Sequence, residues 1–145
     1  MINESRYRIL AIGKIRKHWI KDGIDLYLKR LPDLKITELR DDTLDREAKA
    51  ILATIKNNEK MIAMAEEGQT VNSHEFAQLL DKLGSQRLVF VIGGASGLSN
   101  DIKRLSSLRL SLSDMTFPHE LARLMLIEQI YRAKEILKGG PYQRS

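Results

Sequence analysis

The sequence predicts an α/β domain built on a mostly parallel sheet flanked by helices. Three observations predict it. Apolar runs of strand length recur along the chain, stretches with helical spacing alternate with them, and turn formers or capping residues separate one from the next. No internal repeat, low-complexity segment or domain boundary interrupts the alternation, so residues 1–145 read as one domain.

The elements follow in order. Tyr7 to Ile12, ended by Gly13, is a short apolar run and reads as a buried strand. From Trp19 the apolar residues fall at 19, 20, 24, 26, 27, 28 and 31, an amphipathic helix stopped by Pro32. Lys35–Leu39 alternates and reads as a second strand. The acidic loop Asp41–Asp45 supplies an N-cap, and Arg46 to Ile55 is helical, with Ala48, Ile51, Leu52 and Ile55 on one face. Met61–Ala65 reads as a third strand, followed by a turn at Glu66–Gly68. Ser73, Glu75 and Phe76 open a helix that runs to about Leu83. Leu88–Ile92 is the most strand-like run in the chain. Gly93–Gly97 is a tight loop, after which Ser99 or Asn100 caps a short helix. Leu108–Leu112 is the fifth strand. Pro118 suits the first turn of a last helix reaching about Leu137, before Gly139-Gly140. That helix is apolar over more than one stripe, from Leu121 and Leu124–Ile127 to Ile136 and Leu137. It is therefore covered on two sides, by a second subunit or by a central position in one core.

Composition narrows the function. The 145 residues contain no cysteine, which excludes a disulfide scaffold, a thiol nucleophile and Cys-based metal sites. The three histidines have no metal-ligand spacing. No apolar run approaches the ~18–20 residues of a membrane span, and the first residues do not resemble a secretory signal. A soluble, cytoplasmic protein is expected. The net charge is +5. Residues 6–30 carry eight bases against two acids, net +6, residues 31–86 are net −4, and residues 87–145 are net +4. A nucleic-acid face and a set of solvated helix surfaces both fit that distribution.

Three segments can carry chemistry. The Gly93–Gly97 loop follows a buried strand, where ligands of open α/β sheets bind, and it also suits a plain tight turn. The segment Leu112–His119 joins a strand to a helix and carries hydroxyls at Ser113 and Thr116. His119 there suits a base, a hydrogen-bond donor or a polar helix start. In the tail, Tyr142 can stack on a base and Arg144 can hold a phosphate or polarise a carbonyl, if the tail is not simply frayed.

Taken together, Val91–Leu98, Leu110–His119, Leu126–Ala133, Pro141-Tyr142 and the start Ile9–Lys14 resemble the RlmH family. These are ribosomal large-subunit pseudouridine methyltransferases of the SPOUT superfamily. The resemblance covers nearly the whole chain. It implies a C-terminal trefoil knot, a homodimer, S-adenosylmethionine as cofactor, no metal, and methylation of N3 of a pseudouridine in 23S rRNA of the assembled ribosome. It implies a cofactor site of Met64, Gly93, Leu112, Ser113, Asp114, Met115, Thr116 and Phe117, and substrate-site residues His119, Tyr142 and Arg144. The basic stretch around Lys14, Arg16 and Lys17 then becomes the expected RNA contact. Two positions depart from the family pattern. Gln143 stands where a histidine is usual, and Ala65, after Met64, where the third strand usually ends with an acid. The competing readings are a non-enzymatic ribosome- or nucleotide-binding module, and a family member weakened by Gln143.

Overall fold

The computed structural model describes residues 2–139. Five strands, all parallel, form one sheet in the order β2-β1-β4-β3-β5: β1 (Tyr7–Ile12), β2 (Lys35–Leu39), β3 (Glu59–Thr70), β4 (Arg87–Ile92) and β5 (Leu108–Ser111). Five helices connect and follow them: α1 (His18–Arg30), α2 (Leu44–Thr54), α3 (Ser73–Leu83), α4 (Asn100–Leu105) and α5 (His119–Lys138).

The strand period of two sorts the core into two layers. Ile9, Ala11, Ile62, Leu88 and Phe90 point to one face, where α1, α3 and α5 bury Ile20, Ile24, Phe76, Leu80, Leu126, Ile127 and Ile130. Leu10, Ile12, Met61, Ala63, Val89 and Val91 point to the other, against Ala48 and Ile51 of α2 and Ile102 of α4. Both faces are covered, which is why β1 from Ile9 and β4 from Leu88 are continuously apolar instead of alternating.

The expected elements are all present, with local corrections. A 3-10 turn at Glu4–Arg6 precedes β1, and Lys134 of α5 holds the buried Glu4 at 2.8 Å. The N-cap of α2 is Thr43, whose hydroxyl accepts the Arg46 N–H, so that helix starts at Leu44. Helix α3 is entered through a capping box of Asn72 and Glu75. Ser99 caps α4. Pro118 sits at the N-cap of α5, one residue before its first turn.

The largest correction is β3. It does not end in a turn at Glu66–Gly68 but continues to Thr70. Leu110 of β5 pairs with both Met64 and Gln69, so residues 65–68 bulge out of the ladder. Gly68 marks the place. A Cβ there would lie 2.7–2.8 Å from the backbone of Arg109 and Leu110.

Helix α5 buries Leu126, Ile127, Ile130 and Ala133 completely, while Leu121, Leu124, Met125, Ile136 and Leu137 stay half-buried. No helix among the described residues is long and apolar enough to cross a membrane.

Candidate active site

The topology opens one crevice. Strand β4 leaves the sheet toward α4 on one face, whereas β3 and β5 lead to α3 and α5 on the other. Loops that diverge from adjacent parallel strands leave a gap at the carboxyl ends, the general position of ligands in open α/β sheets. The gap here is a cavity of about 780 Å³, within the usual size of a small-molecule site.

Three segments wall it. The first is the loop after β4. Gly97 takes φ +75 and its N–H donates to the Gly94 carbonyl at 3.0 Å, folding the loop back on itself. The backbone of Gly97 therefore lies directly against Gly93, where any Cβ would collide with its carbonyl. The second is β3, with Met64 in its ladder and Glu66 and Glu67 in its bulge at the wall. Lys103 of α4, also in the wall, forms an ion pair with Glu67 and holds that carboxyl below its ordinary range.

The third wall is the segment 112–118. Helix α5 begins over the far side of the sheet. Arg123, in its second turn, donates to the Gly13 carbonyl after β1 at 2.9 Å and pairs with Glu38 of β2. The chain must therefore cross the ends of β3 and β4 to reach α5 from β5, and it does so over the cavity. Ser111 Oγ donates to the Ser113 carbonyl at 2.7 Å, and the Met115 N–H donates to Ser113 Oγ at 3.0 Å, shaping the start of the crossing.

Of the expected cofactor residues, Met64, Gly93, Leu112, Ser113, Met115, Thr116 and Phe117 line this cavity, as does His119. Asp114 does not; it is exposed, and the Ser113–Met115 turn has the lining residues on either side of it. Tyr142, Gln143 and Arg144 lie outside the described residues. Lys14, Arg16 and Lys17 are exposed on the loop between β1 and α1. Sequence reasoning missed Glu66, Glu67 and Lys103. The signal for the first two was Gly68 four residues after Met64, a small residue where one backbone must approach another. For Lys103 the sequence carries no signal.

The basic loop is tied to the site through Glu120. Its Oε1 accepts the N–H of Arg16 at 2.8 Å and of Lys17 at 3.1 Å. These backbone donors, Lys17's first, hold the carboxyl below its ordinary range, helped by the charge of Lys17. A carboxylate with a depressed pKa in the fold stabilises above its unfolded value and loses that contribution as pH falls through the folded value. Glu120→Gln keeps an oxygen that can accept both N–H groups and loses only the solvent-screened charge, so it should cost well under about 1 kcal/mol near neutral pH. Thermal melts from pH 7 to 3 should show wild type and variant converging below pH ~4; a gap independent of pH contradicts a charged anchor.

A family model described as a predicted SPOUT methyltransferase matches residues 5–143. This chain belongs to the SPOUT methyltransferase family. It is 60% identical to the ribosomal RNA large subunit methyltransferase H of Parasynechococcus marenigrum (strain WH8102), over 99% of this chain and 100% of that protein. It is 57% identical to the protein of the same name from Prochlorococcus marinus (strain MIT 9211), over all of both chains. Among solved structures, a probable methylase family protein from Haemophilus influenzae Rd KW20 superposes with a TM-score of 0.59 at 12% identity, covering 94% of this chain and 69% of that one. The SpoU methyltransferase AviRb from Streptomyces viridochromogenes gives 0.52 at 12% identity, over 93% of this chain and 62% of that one. At such identity these structures speak to the fold alone. In this SPOUT methyltransferase the crevice at the ends of β3, β4 and β5 is thus the place to seek the methyl-transfer site.

Proposed function

We propose that this chain methylates N3 of a pseudouridine in 23S rRNA of the assembled ribosome, with S-adenosylmethionine as methyl donor. The observation that carries the reading is the cavity closed by the segment 112–118 over the Gly93–Gly97 loop, in a chain 60% identical to a protein named ribosomal RNA large subunit methyltransferase H. Residues 1–145 act as one methyltransferase domain in the cytoplasm, without a metal.

The residues present fit the cofactor. A Cβ at Gly93 would close the wall, Met64, Leu112 and Phe117 supply apolar sides for a purine, and Ser113 and Thr116 supply polar edges. Glu66 and Glu67 add carboxylates that suit hydroxyls or an ammonium. Glu66 adjoins Ala65, and so brings a carboxylate back near the position where the acid usual in the family is missing. When bound, the cofactor supplies an electrophilic methyl group on a sulfonium.

The chain's own residues then align the base and manage its charge. N3–H of the uracil ring must lose its proton before or during attack, which puts negative charge on O2 and O4. Arg144 stabilises that charge, and Tyr142 stacks on the ring to hold N3 in line. His119, at the cavity wall, is the protein group suited to accept the proton. Gln143 can hydrogen-bond but cannot accept it.

The knot and the dimer belong to the same reading. The crossing of 112–118 over two strand ends, with α5 packed back under the sheet, is what threading through a knot requires. The half-buried Leu121, Leu124 and Met125 on α5 suit cover by a second subunit.

Mass spectrometry of 23S rRNA from cells with and without the protein tests the function. One methyl group on a pseudouridine should disappear with the gene, and an unchanged rRNA would refute the reading. Arg144→Ala should lower turnover on ribosomes about 100-fold or more and leave cofactor affinity within about twofold, measured by calorimetry. Normal methylation by that variant removes Arg144 from the mechanism.

A further inference from the structure

We propose that Trp19 is a stacking platform for an unpaired base of the RNA substrate, next to a cationic loop that holds the flanking phosphates. This rests on the rRNA-methylating function above and names the surface that would receive the RNA.

Trp19 is the only tryptophan in the chain and is 61% exposed in the first turn of α1. The helix does not need it for packing. Ile20 and Ile24 are its buried residues, and Gly23 lies against Leu124 of α5. A single exposed apolar side chain is unremarkable by itself, but this one has three further properties.

First, its surroundings are cationic. Lys14, Arg16, Lys17 and Lys21 are all exposed within five residues of it. Among the described residues no ion pair occupies the side chains of Lys14, Arg16 or Lys21. The nearest acid in sequence, Asp22, is three residues along the same helix and neighbours Trp19, so four exposed cations stand against one adjacent carboxylate. An aromatic face with cations around it is the pattern by which single-stranded nucleic acid is held: rings stack on bases, and charges follow the backbone.

Second, the segment is rigid. Gly13 takes φ +88 and its carbonyl accepts from buried Arg123; Arg16 and Lys17 then donate their N–H groups to Glu120. The loop reaches the start of α1 with its backbone pinned to α5 at both ends. A platform held this way loses little freedom when a base settles on it.

Third, the pin is at the reaction cavity. Glu120 follows His119, which lines it. A base stacked on Trp19 would therefore belong to the same stretch of RNA as the base undergoing reaction.

A second copy of this chain is the rival occupant of the Trp19 face. In a two-fold contact centred here the same patch would face itself, setting the cations Lys14, Arg16, Lys17 and Lys21 against an equally cationic surface, and lysine is depleted from interface cores. Charge favours the polyanion.

Kinetics on ribosomes with Trp19→Ala and Trp19→Phe tests the inference. Trp19→Ala should raise KM for ribosomes about tenfold to a hundredfold, with kcat, cofactor affinity and melting temperature unchanged. Trp19→Phe should restore most of the loss. An unaltered KM overturns the proposal. So does a fall in kcat alone, a loss of cofactor binding, or dissociation of a wild-type oligomer in the Ala variant, because each assigns Trp19 another role. A second arm needs no activity: the single tryptophan's emission should be quenched by a short single-stranded oligouridylate, and less so as salt rises. Absent quenching also overturns it. If ribosomes are never methylated by the wild type but quenching occurs, the enzymatic reading fails and the stacking surface stands.

Discussion

Replacing Gly93 by alanine is expected to weaken cofactor binding about 100-fold or more. The new Cβ would meet the Gly97 carbonyl and carbon closer than atoms of real structures approach, and the obstructing atoms are backbone. They cannot swing aside as a side chain tip would. Gly97 is itself held by its bond to the Gly94 carbonyl and by a positive φ. Gly94 in turn lies against Ile12 and Asp41, with 3.1–3.2 Å left for a Cβ. Relief of the clash must therefore move the Gly93–Gly97 loop, which itself lines the cavity. Overpacking of this kind costs about 1–3 kcal/mol in stability. Because the displaced atoms are the cavity wall, the larger effect falls on affinity, a loss of about 100-fold or more. Calorimetric titration with S-adenosylmethionine, alongside a thermal melt, separates the two. Wild-type affinity in Gly93→Ala would show that this loop does not touch the ligand. At Gly97, by contrast, a Cβ meets nothing within 4 Å, so the cost there is backbone strain alone.

The second large effect is expected at Arg123. Its side chain is only 3% exposed and joins three elements: α5, which carries it; β2, through Glu38; and the end of β1, through the Gly13 carbonyl. Its Nε is buried without a partner among the described residues, so part of the gain is already offset. Arg123→Ala removes both bonds and leaves a buried carbonyl unpaired and a cavity in place of the guanidinium. Breaking a buried pair by deleting one partner costs about 3–5 kcal/mol. Glu38 is 39% exposed and recovers solvation, so ~3 kcal/mol is the expected loss. Arg123→Lys should recover only part, since one ammonium cannot span both acceptors in the guanidinium's fork geometry. Urea unfolding of the three proteins measures this. A loss under ~1 kcal/mol for the Ala variant would mean that the clamp contributes little. Cofactor affinity should fall as well, because Arg123 fixes where α5 starts and hence where the segment 112–118 must run.

Much of the fold was legible because its signals are local. Val89, Phe90 and Val91 sit in an apolar run with both faces covered, and such a run can hardly be anything but an inner strand. Ser73, Glu75 and Phe76 announce the start of α3, although the residue that caps it is Asn72. The cavity wall was legible at Gly93, and at Leu112–Phe117 except for Asp114, through resemblance more than through chemistry. The β3 bulge was not. Glu66-Glu67-Gly68 has the composition of a turn, and only the packing of Gly68 on the backbone of Leu110 keeps the strand going past it. Local propensity and tertiary contact disagree there, and the strand resumes its pairing with β5 at Gln69 and Thr70 after the bulge.

The sequence by itself determined the strands, the helices and their alternation, and hence a parallel sheet covered on both faces. It also determined the net positive charge, the absence of thiol chemistry and, through several motifs in one order, the family. Tertiary structure alone decided where the elements bring distant residues together. It put Lys103 against Glu67, Glu120 under the backbone of Arg16 and Lys17, and Arg123 between Gly13 and Glu38. Such pairs span from 36 to 110 residues of chain. Hydrophobic period is a property of neighbours along the chain. A salt bridge or a cavity wall is a property of neighbours in space, and those are set only when the sheet order and the crossing of 112–118 have placed them.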